Sequence, residues 1–413
     1  STSRRQRQMC IRDRYIINTC SVTNIADRKS RQMIHKAKKL NPDAIVAATG
    51  CYVEAAGDNV DEDVDIAIGN NEKSRLVEIL DSYFSDVCEE KHTHADINKV
   101  TDFDDMFMEA PMEHTRAYVK IQDGCNRFCT YCIIPYVRGR IRSRQRDDIF
   151  NEVSSLARKG CAEVVLTGIH LSSYGLDMGG DALELIDIIE MINGIEGIKR
   201  IRLGSLEPRI VTEEFAKRLA ACEKICPHFH LSLQSGCDAT LIRMNRKYTT
   251  GEFAEGVKIL RRYFDNPAIT TDVIVGFPGE TQEEFDVTYE YLKRIKFYEL
   301  HVFKYSRRKG TMADKMPDQV DEQIKSARSD RLLELDEKLS TQYREKYIGK
   351  DICVLTEEVN VIEGTAYMTG FTPTYVKVAI PVDNMPDIQP NMLVTVRAVK
   401  LLGKDLVIGV AEN

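Results

Sequence analysis

Between Arg116 and Ser306 the chain repeats one beat. Short apolar runs (RAYVKIQ, EVVLTGI, IKRIRLGS, FHLSLQS, TTDVIVGF, YELHVFKYS) alternate with helical stretches such as ALELIDIIEMI, EEFAKRLAAC and EEFDVTYEYLKRI. Each helical stretch is long enough to carry the chain back to start a parallel strand, so the pattern specifies βα units in series. Six such units predict a partial (βα)6 barrel rather than a closed eightfold one, and barrels of this kind place their chemistry at the carboxyl ends of the strands. Cys125, Gly168, Ser205, Gln234, Gly276 and Tyr305 stand at those ends.

The flanks follow different patterns. Upstream, YIIN, AIVAATG and DVDIAIG read as short buried strands, and Asn24 to Lys39 as a helix, which together predict an N-terminal parallel α/β domain. Cys20 and Cys51 each fall where one of these strands ends, and two thiols at equivalent strand ends suggest one site. The acidic, Met-rich, aperiodic stretch from Asp86 to Met112 reads as a linker. Downstream, a charged helix from Asp321 to about Tyr347 precedes a Gly-punctuated series of short apolar strands, the pattern of a small β-barrel. The first residues, STSRRQRQMCIRDR, have no apolar period and no initiator Met, and are expected to be a truncated or foreign start. The predicted division is therefore 1–14 as a non-native or disordered start, 15–110, 111–343 and 344–413.

Composition excludes several classes. The chain has 12 Cys in 413 residues, too sparse for a disulfide scaffold, and in a reducing compartment clustered Cys read as metal ligands or catalytic groups. No apolar run approaches the ~18 residues of a membrane span, and the expected compartment is the cytoplasm. The net charge of -7 gives no global attraction for nucleic acid, so DNA binding is not expected and any RNA contact must come from local basic patches.

The strongest local signal is CNRFCTYC, which sets Cys125, Cys129 and Cys132 in a CxxxCxxC spacing just after a strand. Three thiolates can hold three irons of a cubane and leave the fourth open, as a catalytic metal requires. A zinc site would ask for a fourth ligand in paired CxxC form. The motif resembles the signature of the radical S-adenosylmethionine (SAM) superfamily, in which an aromatic residue, here Tyr131, precedes the third Cys. The resemblance implies a 4Fe-4S cluster whose open iron binds SAM and releases a 5′-deoxyadenosyl radical, with Ser205, Glu207, Gln234 and Arg246 as polar contacts of SAM and Tyr131 and Ile133 near its adenine. Read by itself, Glu207 or Arg246 is equally a member of a structural ion pair.

Two basic strips lie beside the thiol sites. In VRGRIRSRQR, an extended chain would put Arg138, Arg140, Arg142, Arg144 and Arg146 on one face, suited to phosphate, although a face paired with carboxylates reads the same way. Arg28, Lys29, Arg31, Lys36, Lys38 and Lys39 lie on the helix after Cys20.

Taken in order, NTCSVTNIADRKSRQ, TGCY, DGCNRFCTYCIIPYVRGRIRSR, LTGIHLSSYG, SLEP, HLSLQSGCD, MNRKYT, DVIVGFPGET and FKYSRRKGT resemble the methylthiotransferase family of radical SAM enzymes. TNIADRKSRQ is similar to the branch acting on N6-threonylcarbamoyladenosine of tRNA. The resemblance implies a second, auxiliary 4Fe-4S cluster held by three Cys, of which Cys20 and Cys51 match two. The third has no match, and Cys10 lacks the strand-and-turn context of the family's ligand, so a two-thiolate site is expected to hold a cubane poorly. It also implies a C-terminal TRAM domain that grips RNA. In this chain that segment carries seven Lys or Arg against nine Asp or Glu from Arg344 onward, which leaves local contacts such as Tyr375 and Lys377.

The expected activity is methylthiolation at C2 of threonylcarbamoyladenosine at position 37 of the tRNA anticodon loop. One SAM would methylate sulfur and a second would supply the radical, because the aromatic C-H is neither acidic nor electrophilic enough for acid-base chemistry. A reductant protein of flavodoxin or ferredoxin type is implied. The alternatives are isopentenyladenosine or a ribosomal protein as substrate, and a non-catalytic RNA-binding Fe-S module.

Overall fold

A computed structural model describes residues 13–85, 92–93, 97–107, 115–181, 183–403 and 406–410. The expected disordered start, Cys10 and much of the expected linker lie outside these. By compactness the chain divides into two units: residues 1–106, 123–142 and 306–316 form the first, and 107–122, 143–305 and 317–413 the second. The sequence pattern does not divide the chain this way, because the cysteine loop and a second loop group with the N-terminal segment.

The first unit is built on a parallel sheet. Strand β1 (Arg14–Thr19), helix α1 (Asn24–Leu40), β2 (Ile45–Gly50), helix α2 (Cys51–Ala56), β3 (Ile66–Ile68), helix α3 (Leu76–Phe84) and β4 (His92–Thr93) follow in order. The sheet order is β1-β2-β3-β4, every pair parallel. Helix α1 begins where the Thr23 side chain accepts from Ala26 N, and it turns Ile34 and Ala37 inward against Ile17, Val46 and Ala48. Its opposite face leaves Arg28, Lys29, Lys36 and Lys39 exposed.

The second unit contains the alternating region. Its elements are β5 (Arg116–Asp123, whose last residue belongs to the first unit), helix α4 (Ile134–Val137, also in the first unit), β6 (Arg142–Ser143), α5 (Arg146–Arg158), β7 (Glu163–Gly168), α6 (Glu184–Asn193), β8 (Arg200–Leu203), α7 (Glu213–Ala220), β9 (His228–His230), α8 (Asp238–Arg243), α9 (Thr250–Tyr263), β10 (Ala268–Val275), α10 (Gln282–Ile295), β11 (Glu299–Lys304) and α11 (Glu322–Glu345). One sheet runs β6-β5-β7-β8 and another β11-β10-β9. Parallel bridges Ile201↔Ile225 and Leu206↔Leu231 join β8 to the β9 segment. Strands β5, β7, β8, β9, β10 and β11 thus follow one another in chain order through the two sheets and these bridges. Their apolar faces share one core with α5, α6, α7, α9 and α10, centred on residues such as Val164, Ile188, Phe215, Phe253 and Phe285. Thr249 and Thr281 close capping boxes with Glu252 and Glu284, which set where α9 and α10 begin.

After α11, strands β12 (Asp351–Ile362), β13 (Thr365–Phe371), β14 (Lys377–Pro381), β15 (Leu393–Leu402) and β16 (Leu406–Val410) close into a barrel in the order β12-β13-β14-β16-β15. Closure leaves this β segment no open edge. A buried ionic cluster joins it to the strand region of the same unit. Glu163, fully buried, faces Arg202 at 3.0 Å and Arg116 at 3.5 Å, and Arg200 and Arg202 in turn donate to the carbonyls of Phe371 and Pro373. Burial works to raise the Glu163 carboxyl, and Arg202, Arg116 and Arg200 together overcome it and hold the group below the usual carboxylate range.

Candidate active site

The cysteine loop starts at a forced turn. Gly124 has φ 70°, and a Cβ there would lie 1.7 Å from the Arg140 carbonyl oxygen, so only glycine admits the close approach. Cys125 N then donates to Gly139 O at 3.0 Å, and Phe128 adopts φ 49°, which folds the eight residues Cys125–Cys132 back on themselves. The backbone N-H of Arg127 points at Cys125 Sγ (3.4 Å). Cys125 is buried, Cys129 and Cys132 are half-buried, and none is in a disulfide. A cubane is held by soft thiolate donors with N-H groups aimed at sulfur, and this loop carries three thiols and one such N-H. The donor set therefore fits a 4Fe-4S cluster.

In the same unit, Thr19 pairs with Gly50 at the ends of β1 and β2, so Cys20 and Cys51 leave adjacent parallel strands from matched positions. Cys20 is exposed and Cys51 buried. Cys51 Sγ accepts from Arg138 Nε at 3.3 Å and from Asn70 Nδ2 at 3.7 Å. Two N-H donors thus point at the Cys51 sulfur. Arg138 NH1 also reaches Asp123 Oδ2 at 3.3 Å. Burial opposes its charge, but Asp123 and Cys51 outweigh that and keep the guanidinium protonated.

The arginine strip is corrected by the structure. Gly139 turns the chain at φ 71° and a helix starts at Arg146, so VRGRIRSRQR is not one extended face. Arg142 is buried, donating to the carbonyls of Arg138 and Arg140, and Arg144 is buried in an ion pair with Glu152. Arg140 remains exposed over the Phe128 ring, and Arg146 is exposed beside Asp187. Tyr375 is corrected too. Its ring stacks on Phe371 (4.6 Å) and on His228 (5.1 Å) and its hydroxyl accepts from Arg116, so it is engaged in packing the β-barrel against the strand region of its own unit. Lys377 opens β14 opposite Phe371.

Of the residues matched to SAM contacts, Ile133 packs with Cys51 and Val137 in the first unit, where Tyr131 is half-buried. In the second unit Glu207 is buried with His170 Nε2 at 3.4 Å, and Gln234 holds φ 69° while bridging to β10. Arg246 Nε donates to the Tyr248 hydroxyl at 2.9 Å, and Ser205 is exposed. Sequence reasoning passed over Asn70, Asp123 and His170. Asn70 carries a signal in retrospect, since it lies two residues after the end of β3, while Cys20 and Cys51 directly follow β1 and β2.

Comparison with known proteins agrees with this geometry. The radical SAM superfamily model matches residues 119–292, and the Uncharacterized protein family UPF0004 model matches 6–69. Solved structures of similar fold include the radical SAM methyltransferase TsrM from Kitasatospora setae, at TM-score 0.57 and 14% identity over 74% of this chain and 65% of that one. The fold and the cysteine loop define a radical SAM enzyme. The chain is 40% identical to threonylcarbamoyladenosine tRNA methylthiotransferase MtaB of Bacillus subtilis (89% of this chain, 81% of that protein) and 44% identical to MtaB of Aquifex aeolicus (84% of each). It is 37% identical to the tRNA-2-methylthio-N(6)-dimethylallyladenosine synthase of Acetivibrio thermocellus (84% and 73%). This protein belongs to the methylthiotransferase family, enzymes that depend on 4Fe-4S clusters and SAM, which displaces the non-catalytic reading.

Proposed function

We infer that the protein methylthiolates C2 of N6-threonylcarbamoyladenosine in the tRNA anticodon loop. The observation that carries this reading is the identity of 40–44% to two threonylcarbamoyladenosine enzymes over more than four fifths of their length, above the 37% to the dimethylallyladenosine enzyme. Isopentenyladenosine is thereby the less favoured substrate.

When bound at Cys125, Cys129 and Cys132, the cluster supplies the electron that cleaves SAM to a radical able to take hydrogen from an unactivated aromatic C-H. The chain's residues do the rest. The Gly124 turn and the Arg127 N-H orient the thiolates, and Cys20 and Cys51 are assigned to the auxiliary cluster. Glu207, Gln234, Arg246 and Ser205 are assigned to the polar ends of SAM, and Tyr131 and Ile133 to its adenine; hydrogen-bond capacity and apolar surface of this kind suit that division. The six-stranded region is read as the open barrel of the superfamily and the C-terminal β-barrel as a TRAM domain, with Lys377 and the exposed cations of α1 facing phosphate. A one-electron donor of flavodoxin or ferredoxin type completes the system, and the tRNA substrate places the reaction in the cytoplasm.

Mass spectrometry of tRNA nucleosides from a host lacking the modification tests this. Expression should restore the methylthio form of threonylcarbamoyladenosine, and Cys125→Ser, Cys129→Ser or Cys132→Ser should abolish both that product and 5′-deoxyadenosine formation. Appearance of the isopentenyladenosine product alone would reassign the substrate.

A further inference from the structure

Within the second unit a cavity of about 470 Å³ opens between the start of β5 and strands β12 and β13. Its size falls within the ~300–1,000 Å³ of small-ligand sites. Two consecutive residues of β12, Glu357 and Glu358, both line it. Successive side chains of a regular strand point to opposite faces, so a regular strand would send only one of them there. The register against β13 explains the difference. Thr356 pairs with Gly370 and Glu358 with Thr369, which leaves Glu357 as the extra residue of a β-bulge. Thr115 Oγ1 donates to Thr356 O at 3.1 Å and ties the lead into β5 to this bulge. The two carboxylates are then treated differently. Glu357 is paired with Arg116, whose guanidinium also lies 4.9 Å from the Phe371 ring centre and donates to the Tyr375 hydroxyl at 2.9 Å. Glu358 is exposed and pairs with no cation among the described residues. Asn360 Nδ2 donates to its Oε1 at 3.2 Å, and its Oε2 accepts from none of them. Tyr118, 55% exposed, gives the same cavity an aromatic wall.

These walls select an occupant. A phosphate would be repelled by Glu358 and would find Arg116 already paired. A full cation would be drawn to Glu358 but opposed by the Arg116 guanidinium. A flat, neutral ring with adjacent N-H donors meets neither obstacle, since it can lie on Tyr118 and give its hydrogens to the carboxylate. Guanine alone among the RNA bases carries two adjacent donors, N1-H and the 2-amino group, on its Watson–Crick edge. Adenine, cytosine and uracil each set an acceptor beside the donor, which a carboxylate repels. Unpaired bases of RNA are read in this way, by stacking on aromatic rings and by hydrogen bonds to that edge. We propose that the cavity binds an unstacked guanine of the tRNA substrate, with Glu358 accepting from N1-H and the 2-amino group and Tyr118 stacking on the ring. The proposal rests on the reading of tRNA as substrate, and it adds a base-specific contact to the phosphate contacts assigned above.

The test uses the full chain and three fluorescein-labelled RNA pentamers, UUGUU, UUIUU and UUAUU, where I is inosine, which lacks the 2-amino group. Fluorescence anisotropy should show UUGUU bound about tenfold more tightly than the other two, because each of them loses a hydrogen bond to a carboxylate. Glu358→Gln should weaken UUGUU by about tenfold and the other two by about twofold at most. Tyr118→Ala should weaken all three by about tenfold, and Tyr118→Phe should keep the parent affinity. Equal affinity for UUGUU and UUIUU in the parent overturns the proposal, and this comparison needs no protein variant. A guanine preference that survives Glu358→Gln also overturns it. Spermidine binding that Glu358→Gln abolishes, with no guanine preference, overturns it and reassigns the cavity to a cation. Nucleoside mass spectrometry reads the substrate separately: absence of the methylthio product with the guanine preference intact would sink the substrate reading alone.

Discussion

Thr19 and Gly50 are register partners at the ends of two adjacent parallel strands, and the residue after each is a cysteine. Thr19 Oγ1 donates to Thr49 O at 2.7 Å and accepts from Tyr52 N at 3.3 Å, so it fixes the turn into α2 on which Cys51 rides. Gly50 sits at φ 110°, where a Cβ would come within 2.4 Å of Thr19 O. Gly50→Ala should therefore cost about 1–3 kcal/mol through backbone strain. It should also reduce iron bound at the Cys20–Cys51 pair while leaving the triad loaded. Denaturant melts and iron counts check both, and a variant matching the parent in each would show that the turn does not position Cys51.

Glu163 faces three arginines inside the second unit, and since Arg116 also pairs with Glu357, its removal takes the carboxylate from Arg200 and Arg202 above all. Glu163→Gln should destabilise by about 3–5 kcal/mol, because it leaves buried guanidinium charge uncompensated. Equilibrium unfolding in urea reads the change. A loss below about 1 kcal/mol would mean that the arginine bonds to the Phe371 and Pro373 carbonyls suffice.

The same cluster should respond to acid in two stages. Burial beside Arg202 drives the His228 imidazole well below its ordinary value, so below pH 6.5 the unfolded chain binds a proton that the folded chain refuses. Stability then falls as pH drops from about 6.5, by up to about 1.4 kcal/mol per unit for this group. Glu163 is depressed as well, so its contribution is complete above the ordinary carboxylate range and disappears only as pH falls through its lower folded value. Unfolding free energies measured down a pH series should show the first decline vanish in His228→Phe and persist in Glu163→Gln.

Arg28, Lys29, Lys36 and Lys39 on α1 are exposed and are the cations proposed to face phosphate. Replacing all four by Ala should weaken tRNA binding and flatten its salt dependence by about 0.7–0.9 in log-log slope for each phosphate no longer neutralised. Fluorescence anisotropy across a salt series measures the slope. An unchanged slope would assign binding to other surfaces.

Much of this protein was legible from spacing alone. Periodicity marked the six strands of the alternating region and the helices between them, because crossover length and apolar period are local properties. The same holds for the cysteine triad, whose spacing within eight residues is itself a local property. The arginine run shows where local reading stops. Period 2 promised a single basic face, but Gly139 and the helix start at Arg146 break the extension, and burial assigns Arg142 and Arg144 to carbonyls and to Glu152. Tyr375 failed for a related reason, since its stacking partner His228 lies far away in sequence.

The sequence by itself determined the order of elements, the cysteine triad and the placement of Cys20 and Cys51 after strands, all of which depend on neighbours within a few residues. Tertiary structure alone decided that Cys51, Asn70, Arg138 and Asp123 meet. These four come from segments far apart in the chain, and hydrogen bonds between such segments are set by how the strands and loops pack, which no local pattern encodes.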